Sequence, residues 1–382
     1  MKKRILALVM ACMMLAALAS CGKTAETPAA NEGTTTTAGI APKDLKIGLI
    51  LVGEAADAYN KNHIEGMNAA LKELGLDESQ VITKTSIGED SGCDTAIREL
   101  VESGCQIIFA NSFGHEPYML EVAKDYPNVQ FCHATGYQSA TDDLDNTHNY
   151  FAKIYQARYL SGIAAGLKTK TNKLGYVAAL PYAEVISGYT AFYLGAKSVN
   201  PNVEMYVNYT NQWSDAGLEA TNAQALIDMG CDVISQHSDT SAPATTAEAN
   251  GVFAVGYNDD MIPAAPNAAL VSARINWGVY YKYALGCMLS GEAISQDWCG
   301  GLAEGAVYLS DLNTKTVASG TAEAIEKAKQ GLIDGTVQVF AGPLKDAKTG
   351  EVIIPEGQYY TENEKASAPS WDHVIQGINV LS

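Results

Sequence analysis

Polar and aromatic side chains recur in this sequence just after short apolar runs. They are Asp57, Tyr59 and Asn60; Ser112, Phe113 and His115; Trp213 and Asp215; Gln236, His237 and Asp239; Asn258, Asp259 and Asp260; and Asn276 with Trp277. Aromatic rings offer faces on which a planar molecule stacks, worth about 1–3 kcal/mol per base. Asn, Gln, Asp and His supply donors and acceptors for ring nitrogens, exocyclic groups or sugar hydroxyls. This is the chemistry of binding rather than of catalysis. No GxSxG elbow, HExxH pair or P-loop is present. The carboxylates lack the spacing of an acid–base pair, and Asn258-Asp259-Asp260 lacks the further ligands of a Ca²⁺ loop. GxGxxG is absent as well, so side chains must hold the ligand instead of a Gly-rich phosphate cradle. The residues assigned to the ligand are Asp57, Tyr59, Asn60, Ser112, Phe113, Trp213, Gln236, His237, Asn258, Asp259 and Trp277. Packing roles stay open for several: Tyr59 and Phe113 between lobes, Trp213 and Trp277 as core anchors, His237 as a structural histidine.

The elements that must position these residues follow from hydrophobic periodicity. Residues 45–52 form an apolar run ending at Gly53; helical spacing follows in His63, Met67, Ala70, Leu71 and Leu74. In an open parallel sheet the ligand lies beyond the carboxyl ends of the strands, which is where the loop carrying Asp57, Tyr59 and Asn60 falls. Strands are expected over 80–85, 106–110 and 129–133, alternating with helices over 93–103 and 117–126. A polar stretch, 141–148, reads as the crossover between lobes, followed by a helix over 151–167. The alternation then resumes with strands over 173–180, 203–209, 233–236, 252–256 and 269–275. Helices are expected over 187–198, 216–229, 242–250 and 277–289. It stops near the C-terminus, where a helix over 322–333 precedes a hairpin pairing 337–340 with 351–354. The fold class is α/β, with two doubly wound lobes and the ligand in the cleft between them. Lobe 1 is assigned to 44–145 plus about 277–310, lobe 2 to 146–276, and 311–382 to an extension packed on the lobes.

The first 43 residues read as an address and a tether. Lys2, Lys3 and Arg4 precede an apolar run over 5–19, too short for a spanning helix and laid out like a secretory signal peptide over 1–20. Leu18-Ala19-Ser20-Cys21-Gly22 resembles a bacterial lipobox, with Cys21 as the expected lipidation site. The small, polar, Thr-rich segment that follows cannot bury enough surface to fold and reads as a flexible tether. The expected location is the outer face of the cell membrane, or the periplasm where an outer membrane exists, with the lipid as sole membrane attachment. A hydrophobic content of 47% and charged content of 18% describe an ordinary globule. The formal charge of −18 argues against nucleic acid and anionic membrane surfaces. Past the leader and Cys21, the cysteines are Cys93, Cys105, Cys132, Cys231, Cys287 and Cys299, with neither CxxC nor zinc-site spacing. No cofactor or metal is expected.

Taken together, IIFANSFGH, FCHATGY, YFAKIYQARYLSGIAAG, KLGYVAALPYAEVISGYTAFYLGA, DVISQHSDTSAP, GVFAVGYNDDM, NWGVYY and FAGPLKD resemble the BMP (basic membrane protein) family of lipoproteins. These are nucleoside- or purine-binding receptors of ABC importers. The resemblance implies a fold similar to type I periplasmic binding proteins and a purine stacked between aromatic side chains. Tyr59 stands where the family has an aromatic after the first strand, Asn60 matches the following Asn, and Trp213 stands at the aromatic position of the second lobe. Gln236 and His237 match polar positions. Three departures stand out. The first loop is one residue shorter, which shifts Asp57. Gly256-Tyr257-Asn258-Asp259-Asp260 replaces Gly-x-Asp-Ser-Asp, so Asn258 puts an amide where the family has a carboxylate. Arg274-Ile275-Asn276-Trp277 lacks the family's lysine. The last two remove groups that would hold a ribose and leave room for a free base. The implied function is a non-enzymatic receptor that captures a purine nucleoside or base and passes it to an ABC permease. The alternatives are a receptor for a sugar or other aromatic metabolite, a sensory partner of a membrane kinase, or an extracellular nucleoside hydrolase, which would need a carboxylate-bound Ca²⁺.

Overall fold

The computed structural model describes residues 38–363 and 366–381. The signal-peptide expectation and Cys21 fall outside the described residues. Strands β1 (Ile47–Ile50), β2 (Val81–Lys84), β3 (Ile107–Ala110), β4 (Gln130–Ala134) and β5 (Thr147–Ala152) alternate with helices α1 (Ala58–Leu74), α2 (Ser91–Glu102) and α3 (Glu116–Asp125). Helix α4 (Ile154–Lys168) leads to β6 (Lys173–Ala178), β7 (Glu204–Tyr209), β8 (Val233–His237), β9 (Phe253–Tyr257) and β10 (Ala269–Ile275). Between them run α5 (Ala183–Val199), α6 (Ala216–Asp228) and α7 (Ala242–Ala249). The chain continues through α8 (Gly278–Ser290), β11 (Asp297–Gly300), β12 (Val307–Leu309) and α9 (Thr321–Ile333). Short strands β13 (Phe340–Ala341), β14 (Leu344–Lys345), β15 (Val352–Ile354), β16 (Tyr359–Tyr360) and β17 (Ile378–Val380) finish it.

Each lobe is built on one sheet. The first is ordered β11-β5-β4-β3-β1-β2 and the second β12-β10-β9-β8-β6-β7-β17. Pairing is parallel in both, except that β12 runs antiparallel to β10. Strands of such sheets are covered on both faces, which is why β1, β3 and β8 are buried at every position. Helix starts are set by side chains: Asp90 accepts from Gly92 N at α2, and Asp215 accepts from Leu218 N at α6. Asp215 therefore caps a helix. Helix α1 ends at Gly75, whose φ of +67° suits a residue without a Cβ. Helices α4 and α5 pack at the distance that Gly162 and Gly195 permit. A Cβ on either would run into the carbonyl oxygen of Phe192 or Tyr159 respectively. Helix α5 carries Glu184 in its first turn.

Several elements differ from the sequence-based expectation. Thr147–Ala152 is a strand of the first sheet, although the crossover was expected over 141–148 and the helix from 151. Its polar side chains are buried and satisfied: Asn149 Nδ2 donates to Glu116 Oε1 at 2.8 Å. β12 joins the second sheet, although 277–310 was assigned to the first lobe. The expected hairpin is re-paired. Val352–Ile354 pairs with Leu344–Lys345, and Phe340–Ala341 pairs with Tyr359–Tyr360. The last strand, β17, extends the second sheet beside β7.

Candidate functional site

A small cavity of about 30 Å³ lies beyond the carboxyl ends of strands from both sheets. Val52, Tyr59, Asn111, Ser112, Phe113 and Thr135 line it from the first lobe. Glu184, Trp213, His237, Asp239, Tyr257 and Asn258 line it from the second. Among the described residues no group of three or more His, Cys, Asp or Glu could hold a metal ion.

On the first-lobe side the polar groups are tied down. Tyr59 sits in the first turn of α1, and its hydroxyl donates to the carbonyl oxygen of Asn111 at 2.5 Å. Its ring packs edge-on against His63, with centroids 4.7 Å apart. Asn111 Nδ2 donates to Asn60 Oδ1 at 2.8 Å, and Asn111 Oδ1 accepts from Val52 N at 3.0 Å. Asn60 is buried behind the wall and acts by holding Asn111 in place. Ser112 Oγ and Gly114 N both donate to Glu89 Oε1, at 2.6 and 2.7 Å. The loop ends in Phe113, 40% exposed at the mouth. Its ring lies 6.1 Å from Tyr137 and, across the cleft, 5.7 Å from Tyr182.

The second-lobe side is built differently. Trp213 is tilted against Tyr182 at 6.1 Å and His237 at 6.4 Å. His237 ends β8 and is 1% exposed, with Nε2 3.4 Å from Glu184 Oε1. Burial, reinforced by the nearby Arg158, lowers its pKa to about 4, so the imidazole is neutral near pH 7. Arg158 is fully buried; its Nη1 donates to Gln236 O at 2.6 Å and its guanidinium lies 3.6 Å from the Tyr257 ring centroid. That cation–π contact holds Tyr257 against the cavity floor. Asn258 adopts φ of +60° and its carbonyl accepts from Arg274 Nε at 2.8 Å. Its Nδ2 reaches Asp239 Oδ1 at 3.4 Å, while its Oδ1 is buried without a partner. Burial first, then the charges of Glu219, Glu184 and Asp57, push the Asp239 carboxyl well above the ordinary carboxylate range.

Of the sequence-assigned residues, Tyr59, Ser112, Phe113, Trp213, His237 and Asn258 come together here. The others lie elsewhere. Gln236 Nε2 donates to the carbonyls of Ser238 (2.9 Å) and Thr240 (2.7 Å), so it shapes the β8–α7 loop. Asp57 precedes α1 and accepts from Glu54 N at 3.0 Å. It lines an adjoining groove, which shares Asp239 with the cavity, together with Asp259, whose Oδ2 pairs with Lys61 Nζ at 2.6 Å. Trp277 is 1% exposed and stacked on His63 at 4.4 Å, in the core of the first lobe. Sequence reasoning did not assign Val52, Asn111, Thr135, Glu184 or Tyr257 to the site; Asp239 was noted after its strand but left out of the ligand set. Val52, Asn111, Thr135 and Asp239 lie just past strand ends and Tyr257 is the last residue of β9, so the positional rule reaches them; Glu184 lies instead in the first turn of α5, beyond its reach.

In chemical terms this is a partly open cavity with aromatic faces at the sides and unpaired polar atoms on one wall. Comparison with known proteins agrees in class. Residues 45–340 match the Bmp family model, described as PnrA-like ABC transporter substrate-binding protein. A purine-binding protein of Brucella abortus is 33% identical over 89% of this chain and 92% of its own length. A putative ABC transporter glucose-binding protein of Haloferax volcanii is 31% identical over 73% of this chain and 70% of its own. Among solved structures, a solute-binding protein of an ABC transporter system from Conexibacter woesei superposes with a TM-score of 0.65 at 20% identity. That match covers 77% of this chain and 98% of the neighbour, and it shows the two-lobe fold of type I periplasmic binding proteins.

Proposed function

Because the chain belongs to the Bmp family of ABC transporter substrate-binding proteins, we propose that it captures a purine base or nucleoside between its lobes and delivers it to an ABC permease. The observation that carries this reading is the lining of the cavity. Tyr59, Phe113 and Trp213 approach it from both lobes, while His237 and Asn258 present buried polar atoms without partners. Ring faces suit a planar heterocycle, and the unpaired atoms suit its nitrogens and exocyclic groups. The 33% identical relative named as purine-binding supports the same ligand class. Ligand contacts to both lobes would favour the closed state over the open one.

We further propose that the mature protein is held at the outer face of the cell membrane through a lipid on Cys21. A Cys21→Ala variant expressed in a bacterium should lose lipid labelling and leave the membrane fraction; unchanged labelling would remove the anchor. A second reading, a sugar receptor, is favoured by the relative named as glucose-binding. Thermal-shift and native mass spectrometry screens against bases, nucleosides and monosaccharides separate the two. Purines are expected to raise the melting temperature and add one ligand mass per chain; stabilisation by sugars alone would sink the purine reading.

A further inference from the structure

We infer that the Asp239 carboxyl, carrying its proton, and the Asn258 amide together read the hydrogen-bonding edge of an uncharged purine. This inference rests on the purine reading and names the pair that would orient the base.

The argument begins with what surrounds Asp239. Glu184 faces it from α5, Glu219 from α6, and Asp57 from the loop before α1 in the other lobe. The nearby cations lie against other groups, although Arg158 Nε and Nη2 have no hydrogen-bond partner. Lys61 is paired with Asp259 at 2.6 Å, Arg274 with Glu65 at 2.9 Å, and Arg158 lies against Tyr257 and bonds Gln236 O. His237 is neutral near pH 7. Among the described residues, no cation lies within ion-pair distance of the Asp239 carboxylate. Glu219 is buried too, yet donors meet both its oxygens: Asp215 N at one, and Ser238 Oγ, Thr240 N and Thr240 Oγ1 at the other. The Asp239 side chain has one partner, Asn258 Nδ2 at 3.4 Å. Two carboxyls on the cavity wall are short of donors: Asp239, and Glu184, whose one near partner is His237 Nε2 at 3.4 Å; Asp239 is the one that also touches the Asn258 amide. Its elevated pKa is in keeping with that arrangement.

The second observation is independent and points to a ligand. Asn258 is 0% exposed, lines the cavity, and leaves Oδ1 without a partner. An acceptor buried in that way is unfavourable unless something in the cavity donates to it. The residue is fixed in its left-handed conformation by the Arg274 bond to its carbonyl, so it is poised before any ligand arrives. A protonated carboxyl offers one donor and one acceptor, and an amide offers both as well. Adjacent donor and acceptor groups are what a purine edge presents, as in the Asn or Gln pairing with the N6/N7 edge of adenine. An ionised Asp239 would offer acceptors only.

The test is calorimetric titration of the protein with adenine and with hypoxanthine between about pH 5 and pH 8. A site that needs the proton loses affinity as pH rises, approaching about tenfold per pH unit above the carboxyl's pKa. Charging of His237 would weaken binding toward acid pH, the opposite slope. Asp239→Asn, which keeps a donor and an acceptor, should abolish this pH dependence and bind more tightly than the wild type at the alkaline end. Asp239→Ala should weaken binding about tenfold or more at the acid end without moving the melting temperature. A flat wild-type profile, together with a large loss in Asp239→Asn at an unchanged melting temperature, would overturn the inference and leave purine binding standing. No purine binding at any pH would overturn both.

Discussion

The first lobe meets the cavity mainly with polar atoms that already have partners; the second meets it with several that do not. Tyr59 donates to Asn111 O, both ends of the Asn111 amide are bonded, and Ser112 is held by Glu89. Across the cleft, His237 Nδ1 and the Oδ1 of Asn258 lack hydrogen-bond partners, and His237 Nε2 has only Glu184 Oε1 at 3.4 Å. On the proposed function, the first lobe is a wall offering ring faces and the second would orient the ligand. A buried site built to hydrogen-bond discriminates far more strongly than one that only fills space, because a wrong ligand leaves its groups unpaired.

The comparison can be broken at several points. The largest effect is expected at Trp277, assigned to the ligand from sequence but packed on His63, Tyr150 and Phe151. Trp277→Ala should cost about 3–5 kcal/mol of stability. Trp277→Phe should fold and keep most of its affinity; a large affinity loss at unchanged stability would return Trp277 to the site. Acid is the next lever. Burial lowers His115 and His148 of the first lobe, and His237 of the second, to about 4 each. A depressed histidine pKa means the folded protein favours the neutral ring. The stability it contributes is present above the ordinary value and lost as pH falls through about 4. Melting temperatures should therefore drop between about pH 6.5 and pH 4, and a flat curve would contradict the burial assigned to these rings.

Trp213→Ala tests the stacking face of the second lobe. It should weaken purine binding roughly tenfold with little loss of stability, as one stacking partner is removed. Tyr59→Phe should be milder. It deletes only the bond to Asn111 O, worth about 0.5–1.5 kcal/mol, and keeps the ring. An effect as large as that of Trp213→Ala would place the Tyr59 hydroxyl on the ligand. The smallest effect is expected where Lys61 of α1 meets Asp259 after β9. Lys61 is 44% exposed, so Lys61→Met should change affinity by a few-fold at most, with the difference fading at high salt.

Much of this architecture was legible because buried parallel strands read as unbroken apolar runs and the ligand side lies at their carboxyl ends. β5 was hidden because Thr147, His148 and Asn149 read as loop. Their burial depends on partners distant in sequence, such as Glu116 for Asn149 and Gln130 for His148. The same limit explains the site. A strand end locates the backbone, but not the direction in which a side chain turns. Gln236 turned to two carbonyls in its own loop, Asn60 to Asn111, and Asp259 to a lysine on the other lobe. Glu184 was missed because it opens a helix instead of sitting directly on a strand.

The central claim, that the chamber between Tyr59 and Trp213 is built for a purine, is tested most directly by titrating the ligand-free protein. Isothermal calorimetry would compare adenine, hypoxanthine, their nucleosides and a panel of monosaccharides. Saturable binding of one purine per chain, weakened in Trp213→Ala, is the expected result. Binding of a monosaccharide with no heat from any purine would contradict it.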